Sequence, residues 1–189
     1  MYLTFGDRLD IYIQAYFSML SFYRQLGEYD HIVMVTTDPK FYKRASFADV
    51  ICIDNATVEE WKGKHHFFWR SKIKAIEMVA QKYNDSDLIY VDCDTFLYGD
   101  LSKLKEGLLG GQGYMDMDDG HPKYRKFKPM HMWEKIGGHT YAGITLGMQH
   151  HMWVAGVLGI PNAYKQIVIQ TAIQLCDEIL DDKPEDIVV

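Results

Sequence analysis

Residues 87–100 read Asp-Leu-Ile-Tyr-Val-Asp-Cys-Asp-Thr-Phe-Leu-Tyr-Gly-Asp, and this segment carries the clearest structural signal in the chain. The run from Leu88 to Val91 is apolar without alternation, which is typical of a strand that is buried on both faces. Asp92 and Asp94 follow it. If the strand geometry continues that far, both carboxylates point the same way, because side-chain direction alternates along a strand.

The position of these two aspartates predicts a binding site for a metal ion. In an open α/β sheet, ligands bind at the carboxyl ends of the strands. Two carboxylates there suit Mg²⁺ or Mn²⁺ bridged to phosphate, with water and substrate oxygens completing the coordination. The residues alone leave a second interpretation open, in which Asp92 and Asp94 only start a turn and Asp94 or Asp100 caps the next helix.

The pattern of the remaining chain predicts strands that alternate with helices, hence an α/β fold with a mostly parallel sheet. Strands are expected over residues 2–5, 31–37, 49–53, 86–91, 112–117, 141–148, 153–160 and 187–189. Helices are expected over residues 9–26, 68–83, 101–109 and 163–181. Asp38-Pro39 is typical of a helix start, and residues 118–139 are expected to be irregular.

Composition excludes several classes of function. The chain has 189 residues, enough for one domain with a real core. Its net charge of −6 disfavours nonspecific nucleic-acid binding. Three cysteines without Cys-x-x-Cys spacing indicate a reducing compartment. No apolar run approaches about 18 residues and no signal-peptide pattern is present, so we expect a cytoplasmic protein without a transmembrane segment.

The segment around the aspartates resembles the Asp-x-Asp segment of GT-A type glycosyltransferases, most closely family 8-like enzymes that use nucleotide sugars. Tyr90-Val91-Asp92-Cys93-Asp94-Thr95 and Gly99-Asp100-Leu101 carry the resemblance, and residues 67–73 and 141–159 add to it. It implies a GT-A type (Rossmann-like) fold with a mixed, mainly parallel sheet flanked by helices. We expect a single nucleotide-sugar-binding domain over residues 1–189, short at its carboxyl end because the resembling enzymes usually continue further.

The resemblance also implies an activity, which is the metal-dependent transfer of a hexose from a nucleoside diphosphate sugar, expected to be UDP-linked. The acceptor is undefined and could be a sugar, a lipid or a protein. Asp92 and Asp94 are the expected catalytic and metal-binding residues, with Asp94 the more direct ligand of Mn²⁺ or Mg²⁺. Asp92 is shared between the metal and the ribose. The cation stabilises the negative charge on the departing diphosphate.

Five further residues are expected to bind the nucleotide. In the resembling enzymes the turn after the first strand holds the nucleoside, which makes Thr4, Gly6 and Asp7 candidates for contacts to the base or ribose. A glycine allows close backbone approach and a carboxylate can accept from hydroxyls, but the same residues also suit an ordinary capping turn. Arg70 and Lys72 open a predicted helix and are expected to contact the diphosphate; otherwise they are exposed helix charges.

The sugar or acceptor is expected to meet Asp116, Ala155 and Gly156. The resembling enzymes often carry an Asn-Ala-Gly strand that borders the sugar pocket, and in this chain Val154 stands in place of the asparagine. Asp116 belongs to an acidic cluster after a predicted strand and could contact sugar hydroxyls. The cluster is followed by glycine, so it is also a turn signal.

Gln170 is a further sugar or acceptor candidate, because the resembling enzymes often place an acidic residue before a glutamine here. This chain retains the glutamine but has Ile169 before it. The same enzymes commonly add a histidine as a third metal ligand, further along than this chain extends. Either water or an earlier histidine, His131 or His139, would then complete the coordination, or the chain is short of a full active site.

Two alternatives remain open from the sequence. Nucleotidyl transfer uses a similar sheet, but it usually requires a glycine-rich basic loop after the first strand, and residues 4–8 contain one glycine and one arginine. A truncated or degenerate relative could instead bind a nucleotide or a partner as a scaffold without turnover. Val154, Ile169 and the early chain end favour the scaffold, whereas Asp92 and Asp94 favour the enzyme.

Overall fold

A computed structural model describes residues 1–126 and 128–182, which form a mixed α/β fold. The strands in these residues are β1 (Tyr2–Thr4), β2 (Ile32–Thr36), β3 (Ala48–Cys52), β4 (Leu88–Val91), β5 (Tyr114–Gly120), β6 (Thr140–Tyr141), β7 (Ile144–Thr145) and β8 (Met152–Ile160). The helices are α1 (Leu9–Tyr23), α2 (Asn55–Lys62), α3 (Phe68–Lys82), α4 (Ser102–Leu109), α5 (Lys128–Ile136) and α6 (Lys165–Asp182). Short 3₁₀ turns cover Pro122–Tyr124 and Asn162–Tyr164.

The central strands form two three-stranded sheets that meet at Met1. β1, β2 and β3 are parallel, and β8 pairs antiparallel with both β4 and β5. The main-chain nitrogen of Met1 donates to the carbonyl of Ile89, and the amide of Val91 donates to the carbonyl of Met1 at 3.1 Å. These bonds place β4 beside β1, so the strands lie side by side in the order β3-β2-β1-β4-β8-β5.

The prediction of a mainly parallel sheet is therefore wrong for the second half of the sheet. Among the described residues, the strand pairs with parallel hydrogen bonding are β1 with β2 and β2 with β3. The chain leaves β5 at the end where β4 also finishes and returns through β8 without crossing the sheet. β8 therefore runs opposite to both of its neighbours.

Helices cover both faces of the sheet, as the sequence predicts. Alternation along β4 places Leu88 and Tyr90 in the core with residues of α3 and α6, and Ile89 and Val91 in the core with residues of α1. Leu88, Tyr90 and Val91 are buried. The apolar run that identified this strand thus reflects contact with helices on either side.

Two local predictions differ from the structure in the first third of the chain. Asp38-Pro39 does not start a helix; the segment forms successive turns, with Phe41 donating to the carbonyl of Asp38 at 3.3 Å. Helix α2 was not predicted. The sequence feature that marks its start is the N-cap residue Asp54. The Asp54 carboxylate accepts a hydrogen bond from the Thr57 amide at 2.7 Å and so satisfies one of the unpaired amides of the first turn.

The region after β5 is more regular than the sequence suggests. Residues 118–139 include the end of β5 and helix α5, so the expectation of an irregular stretch is wrong there. The single strand expected over residues 141–148 is a short hairpin, because the chain reverses at Ala142 (φ 50°) and Gly143 (φ 75°). The strand expected over residues 187–189 lies outside the described residues. Within residues 1–126 and 128–182, no helix has the length and apolar character needed to cross a bilayer.

Candidate functional site

The candidate site lies at the carboxyl end of β4. The Asp92 amide donates to the Gly156 carbonyl at 2.7 Å, which ties the first residue after β4 to β8. The Asp92 carbonyl accepts from the Thr95 amide at 3.1 Å, so the chain turns at once. Because the strand ends at Val91, alternation does not extend to Asp94, and the predicted reason for the two carboxylates to share a direction is wrong.

One carboxylate oxygen of Asp92 is held firmly. Its Oδ1 accepts from the Tyr90 hydroxyl at 2.6 Å and pairs with Lys72 Nζ at 2.8 Å. Lys72 Nζ also donates to the Ala155 carbonyl at 3.2 Å and lies 4.7 Å from the centre of the Tyr90 ring. No donor within the described residues reaches Oδ2 of Asp92. The carboxylate is thus oriented through one oxygen, and the other remains available to a ligand.

Asp94 lies in the turn and is exposed. It has no hydrogen bond or ion pair with any of residues 1–126 and 128–182. Burial raises the pKa of the Cys93 thiol to about 12, and the charges of Asp92 and Asp94 add to the effect. Burial also raises the pKa of Tyr90, again with contributions from both carboxylates. Both aspartates therefore create negative potential over the same small region, although strand alternation does not align them.

The opposite wall of the site comes from β5 and β8. Asp116 lies at an irregularity in the β5–β8 pairing, between Met115 and Met117. A Cβ atom on Gly156 would lie 3.1 Å from Asp116 Oδ2 and 3.8 Å from Thr95 Oγ1. Glycine at 156 therefore lets the Asp116 carboxylate and the Thr95 hydroxyl approach the backbone beside Asp92. The structure brings Asp116, Ala155 and Gly156 to the region of Asp92, and their roles toward a sugar or acceptor stay predictions.

The donor set fits a hard cation that takes only part of its coordination from the protein. Asp92 Oδ2 and the Asp94 carboxylate are oxygen donors, and Mg²⁺ is commonly held by one or two carboxylates with water and phosphate oxygens. The described residues contain no group of three or more His, Cys, Asp or Glu that could form a complete cage. His131 Nδ1 lies 3.3 Å from Glu134 Oε2 and His139 Nδ1 lies 3.7 Å from Asp182 Oδ2, and neither histidine forms a three-ligand group with Asp92 and Asp94 in the described residues.

Arg70 does not share the site with Lys72. Two residues along a helix differ by about 200° in direction, so these two cations point to opposite sides of α3. The Arg70 guanidinium forms a two-pronged pair with Asp177 of α6, at 2.6 and 2.9 Å, and donates to the Trp61 carbonyl at 2.8 Å. The predicted contact between Arg70 and the diphosphate therefore does not fit the structure, because the guanidinium donors are used to join α3 to α2 and α6.

Thr4 is also committed to the fold. Its side chain is 1% exposed, donates to Thr36 Oγ1 at 2.9 Å and accepts from the Tyr42 hydroxyl at 3.3 Å. The expected contact from this side chain to a base or ribose is corrected, because the hydroxyl faces the core between β1 and β2. Gly6 (φ 81°) and Asp7 follow as an exposed turn, and a Cβ on Gly6 would meet nothing within 4 Å. These two remain accessible for the predicted contact.

Gln170 lies away from the aspartates. It is exposed on α6 and lines a shallow groove with Glu77 of α3 and Asp177 of α6. The structure does not bring it to the cluster around Asp92. The expected contact with sugar or acceptor rested on the resemblance alone, and in this chain the neighbouring Ile169 is the residue of the pair that is buried in the core.

Sequence reasoning missed three residues that shape the site. Tyr90 orients Asp92 and could have been found from alternation, since residues at i and i−2 share a face. Thr95 approaches Gly156 after the turn at Asp92, which the sequence left open as an alternative without indicating where the threonine would lie. Trp69 is exposed at the start of α3, with Lys72 Nζ 5.4 Å from its ring centre, which the helical spacing of three makes possible.

Comparison with solved structures shows what kind of fold surrounds this site. The chain is similar to mouse xyloside xylosyltransferase 1 in its apo form, with a TM-score of 0.55 and 13% sequence identity, over 96% of this chain and 73% of that chain. At this identity the likeness concerns the fold, which is of a kind found in a glycosyltransferase. The sequence matches no protein-family model and no curated protein.

Proposed function

We propose that the protein is a metal-dependent glycosyltransferase of the GT-A type, similar to family 8, that uses a UDP-linked sugar. The observation that carries the proposal is the convergence of Asp92, Lys72, Asp116 and Gly156 at the carboxyl end of β4. In an α/β sheet this is where a ligand is expected. The glycosyltransferase-like fold supports the same assignment.

Asp92 and Asp94 would hold Mn²⁺ or Mg²⁺, which supplies positive charge to the leaving diphosphate as a Lewis acid. Lys72 fixes Oδ1 of Asp92, so that Oδ2 faces the ligand in a defined orientation. The Lys72 ammonium also keeps a positive charge beside the two carboxylates, where a diphosphate would otherwise meet only negative side chains. Its role is therefore to position Asp92 and to favour an anionic ligand.

Asp116, Ala155 and Gly156 would border the transferred sugar. A carboxylate accepts hydrogen bonds from sugar hydroxyls. Gly156 has no side chain, so the Asp116 carboxylate can lie against the backbone there, 3.1 Å from where a Cβ would be. Gly6 and Asp7 remain the candidates for the nucleoside, since both are exposed at the end of β1. The acceptor could be a sugar, a lipid or a protein.

A scaffold that binds a nucleotide without turnover is the second candidate. It is favoured by the use of Arg70 and Thr4 within the fold, because fewer side chains are then left to bind the nucleotide than the family resemblance implied. The two candidates share the metal and nucleotide site. They differ in whether the bond between the sugar and UDP is cleaved.

The test is hydrolysis of a panel of UDP-sugars, in which water takes the place of the acceptor and UDP is released, measured with Mn²⁺ and with a chelator. We expect Mn²⁺-dependent release by the wild type and its loss in Asp92→Asn. Asp100→Asn is the matched control, because Asp100 follows in the same loop but accepts from the Ser102 amide at 3.0 Å at the start of α4. UDP binding without release from any donor would support the scaffold, and absence of UDP binding in a folded sample would contradict both.

A further inference from the structure

An apolar surface covers the outer side of α1 and part of the loop that follows the aspartates. Its members, here called the α1 face, are Leu9, Ile13, Phe17, Leu20, Phe96 and Tyr98. Phe17 is 63% exposed and Tyr98 is 96% exposed. The spacing of the four α1 residues puts them on one stripe of the helix. A helix that is apolar on its inner and outer sides is unusual at a free surface, and such patches mark interaction sites.

The α1 face is continuous with the loop that follows the aspartates. The Phe17 and Phe96 rings meet edge to face with their centres 6.0 Å apart, and the Leu97 amide donates to Ser21 Oγ at 2.8 Å. A shallow groove runs between α1 and this loop and is lined in part by Arg24 and Tyr98. The apolar face and the Asp94 turn are therefore parts of one side of the molecule.

Cations border this apolar face. Tyr42 and Phe47 both pack on the Tyr16 ring of α1, with ring centres 6.3 and 6.2 Å away, so the segment between them runs along the helix. Lys43 and Arg44 lie in that segment and are exposed. Arg24 is exposed in the groove beside the face, and none of these three cations forms an ion pair with a carboxylate of the described residues.

From this combination we infer that the α1 face docks on an anionic membrane surface. Aromatic and aliphatic side chains insert at the boundary between headgroups and acyl chains, while flanking Lys and Arg attract anionic lipids. The chain as a whole carries a charge of −6, and Arg24, Lys43 and Arg44 are exposed cations beside this face that have no ion-pair partner in the described residues. Docking in this way would hold the Asp94 loop beside the lipid surface.

A second copy of the chain fits the same face less well. A two-fold dimer would use the same patch of both copies, so that residue i of one copy meets residue j of the other and residue j meets residue i. Arg24, Lys43 and Arg44 of both copies would then be brought together around an apolar contact. No carboxylate of the described residues pairs with them to offset that repulsion, whereas an anionic lipid surface does.

Vesicle co-sedimentation tests the inference with the whole chain. Vesicles of phosphatidylcholine with phosphatidylglycerol should bind the wild type, and vesicles of phosphatidylcholine alone should bind it much more weakly. Phe17→Ser with Phe96→Ser should weaken binding by at least about tenfold. Lys43→Gln with Arg44→Gln should weaken it by about twenty-fivefold, or about fivefold for each cation. All four positions are exposed, and circular dichroism checks that the variants fold.

The matched control is Ile167→Ser, which removes an equally exposed apolar side chain from α6 and should leave vesicle binding unchanged. Equal binding to both kinds of vesicle, or binding that survives the Phe17 and Phe96 changes, would overturn the inference. So would a dimer in sedimentation equilibrium that Phe17→Ser dissociates, if the wild type binds no anionic vesicles. UDP binding is measured separately, so failure here leaves the proposed transfer reaction intact.

Discussion

The carboxyl ends of β1 and β4 lie next to each other in the sheet, yet they expose different chemistry. β1 ends at Thr4, whose hydroxyl is buried against Thr36 and Tyr42. β4 ends at Val91, and its polar residues come after the last strand residue, where Asp92 is half-buried and Asp94 is exposed. A polar side chain that falls within the buried part of a strand serves the fold, whereas one that falls just beyond it is available to a ligand.

The same contrast appears on α3 between Arg70 and Lys72. Arg70 faces α6 and Lys72 faces Asp92, although the two cations are separated by a single residue. Charge near a helix start therefore does not identify a phosphate contact. The direction of each side chain around the helix does.

The largest effects on stability and UDP affinity should come from replacing Arg70 and Lys72 one at a time. Arg70→Gln should lower the free energy of unfolding by about 2 to 3 kcal/mol, because it breaks a charge-assisted pair and a bond to the Trp61 carbonyl. UDP affinity should not change. Lys72→Gln should weaken UDP binding about thirtyfold, or about 2 kcal/mol, with a smaller effect on unfolding. Urea denaturation measures the free energy of unfolding and calorimetry measures the UDP affinity. The assignment would be contradicted if Arg70→Gln lost UDP affinity and Lys72→Gln lost mainly stability.

Thr4→Val should cost about 2 kcal/mol of unfolding free energy. The change removes the hydroxyl that joins Thr36 and Tyr42 while keeping a similar volume, so buried polar atoms lose partners. UDP affinity should stay at the wild-type value if the hydroxyl serves only the core. Thr171→Val on α6 is the control for replacing a threonine, and should leave stability nearly unchanged. A loss of UDP affinity in Thr4→Val alone would return Thr4 to the nucleotide site.

Gly156→Ala should affect the ligand more than the fold. The new methyl group would lie 3.1 Å from Asp116 Oδ2, so the carboxylate must move by a few tenths of an ångström. We expect about a tenfold loss of UDP-sugar affinity with less than about 1 kcal/mol lost in unfolding. Gly113→Ala is the control, since its added Cβ would have only ordinary contacts, the nearest 3.5 Å away. Equal affinities for wild type and Gly156→Ala would show that no ligand approaches there.

The smallest effect concerns the thiol between the two aspartates. Burial and the neighbouring carboxylates raise the pKa of Cys93 to about 12, from an ordinary value of 9.0. The unfolded thiol therefore loses its proton before the folded one, and the free energy of unfolding falls as the pH rises from about 9 toward about 12. When the pH is raised from about 8 to about 10, the free energy of unfolding should fall less in Cys93→Ala than in the wild type, by on the order of 1 kcal/mol. Cys52→Ala, at an exposed cysteine, should behave as the wild type does.

The sequence predicted the parts of the structure that depend on local patterns. The apolar run before Asp92 predicted β4, and the helical spacing predicted α1, α3 and α6. Pairing between distant segments was beyond such patterns, so the antiparallel β8 between β4 and β5 was missed. The partners of Arg70 and Thr4 were missed for the same reason: Asp177 is more than a hundred residues from Arg70 and Thr36 is 32 residues from Thr4.

Calorimetric titration of UDP, with and without Mn²⁺, tests most directly whether the end of β4 is a metal-dependent nucleotide site. The wild type should bind UDP only when Mn²⁺ is present, Asp94→Ala should lose that binding, and Asp100→Ala should keep it. UDP binding that needs no metal, or that is undiminished in Asp94→Ala, would contradict the proposed site.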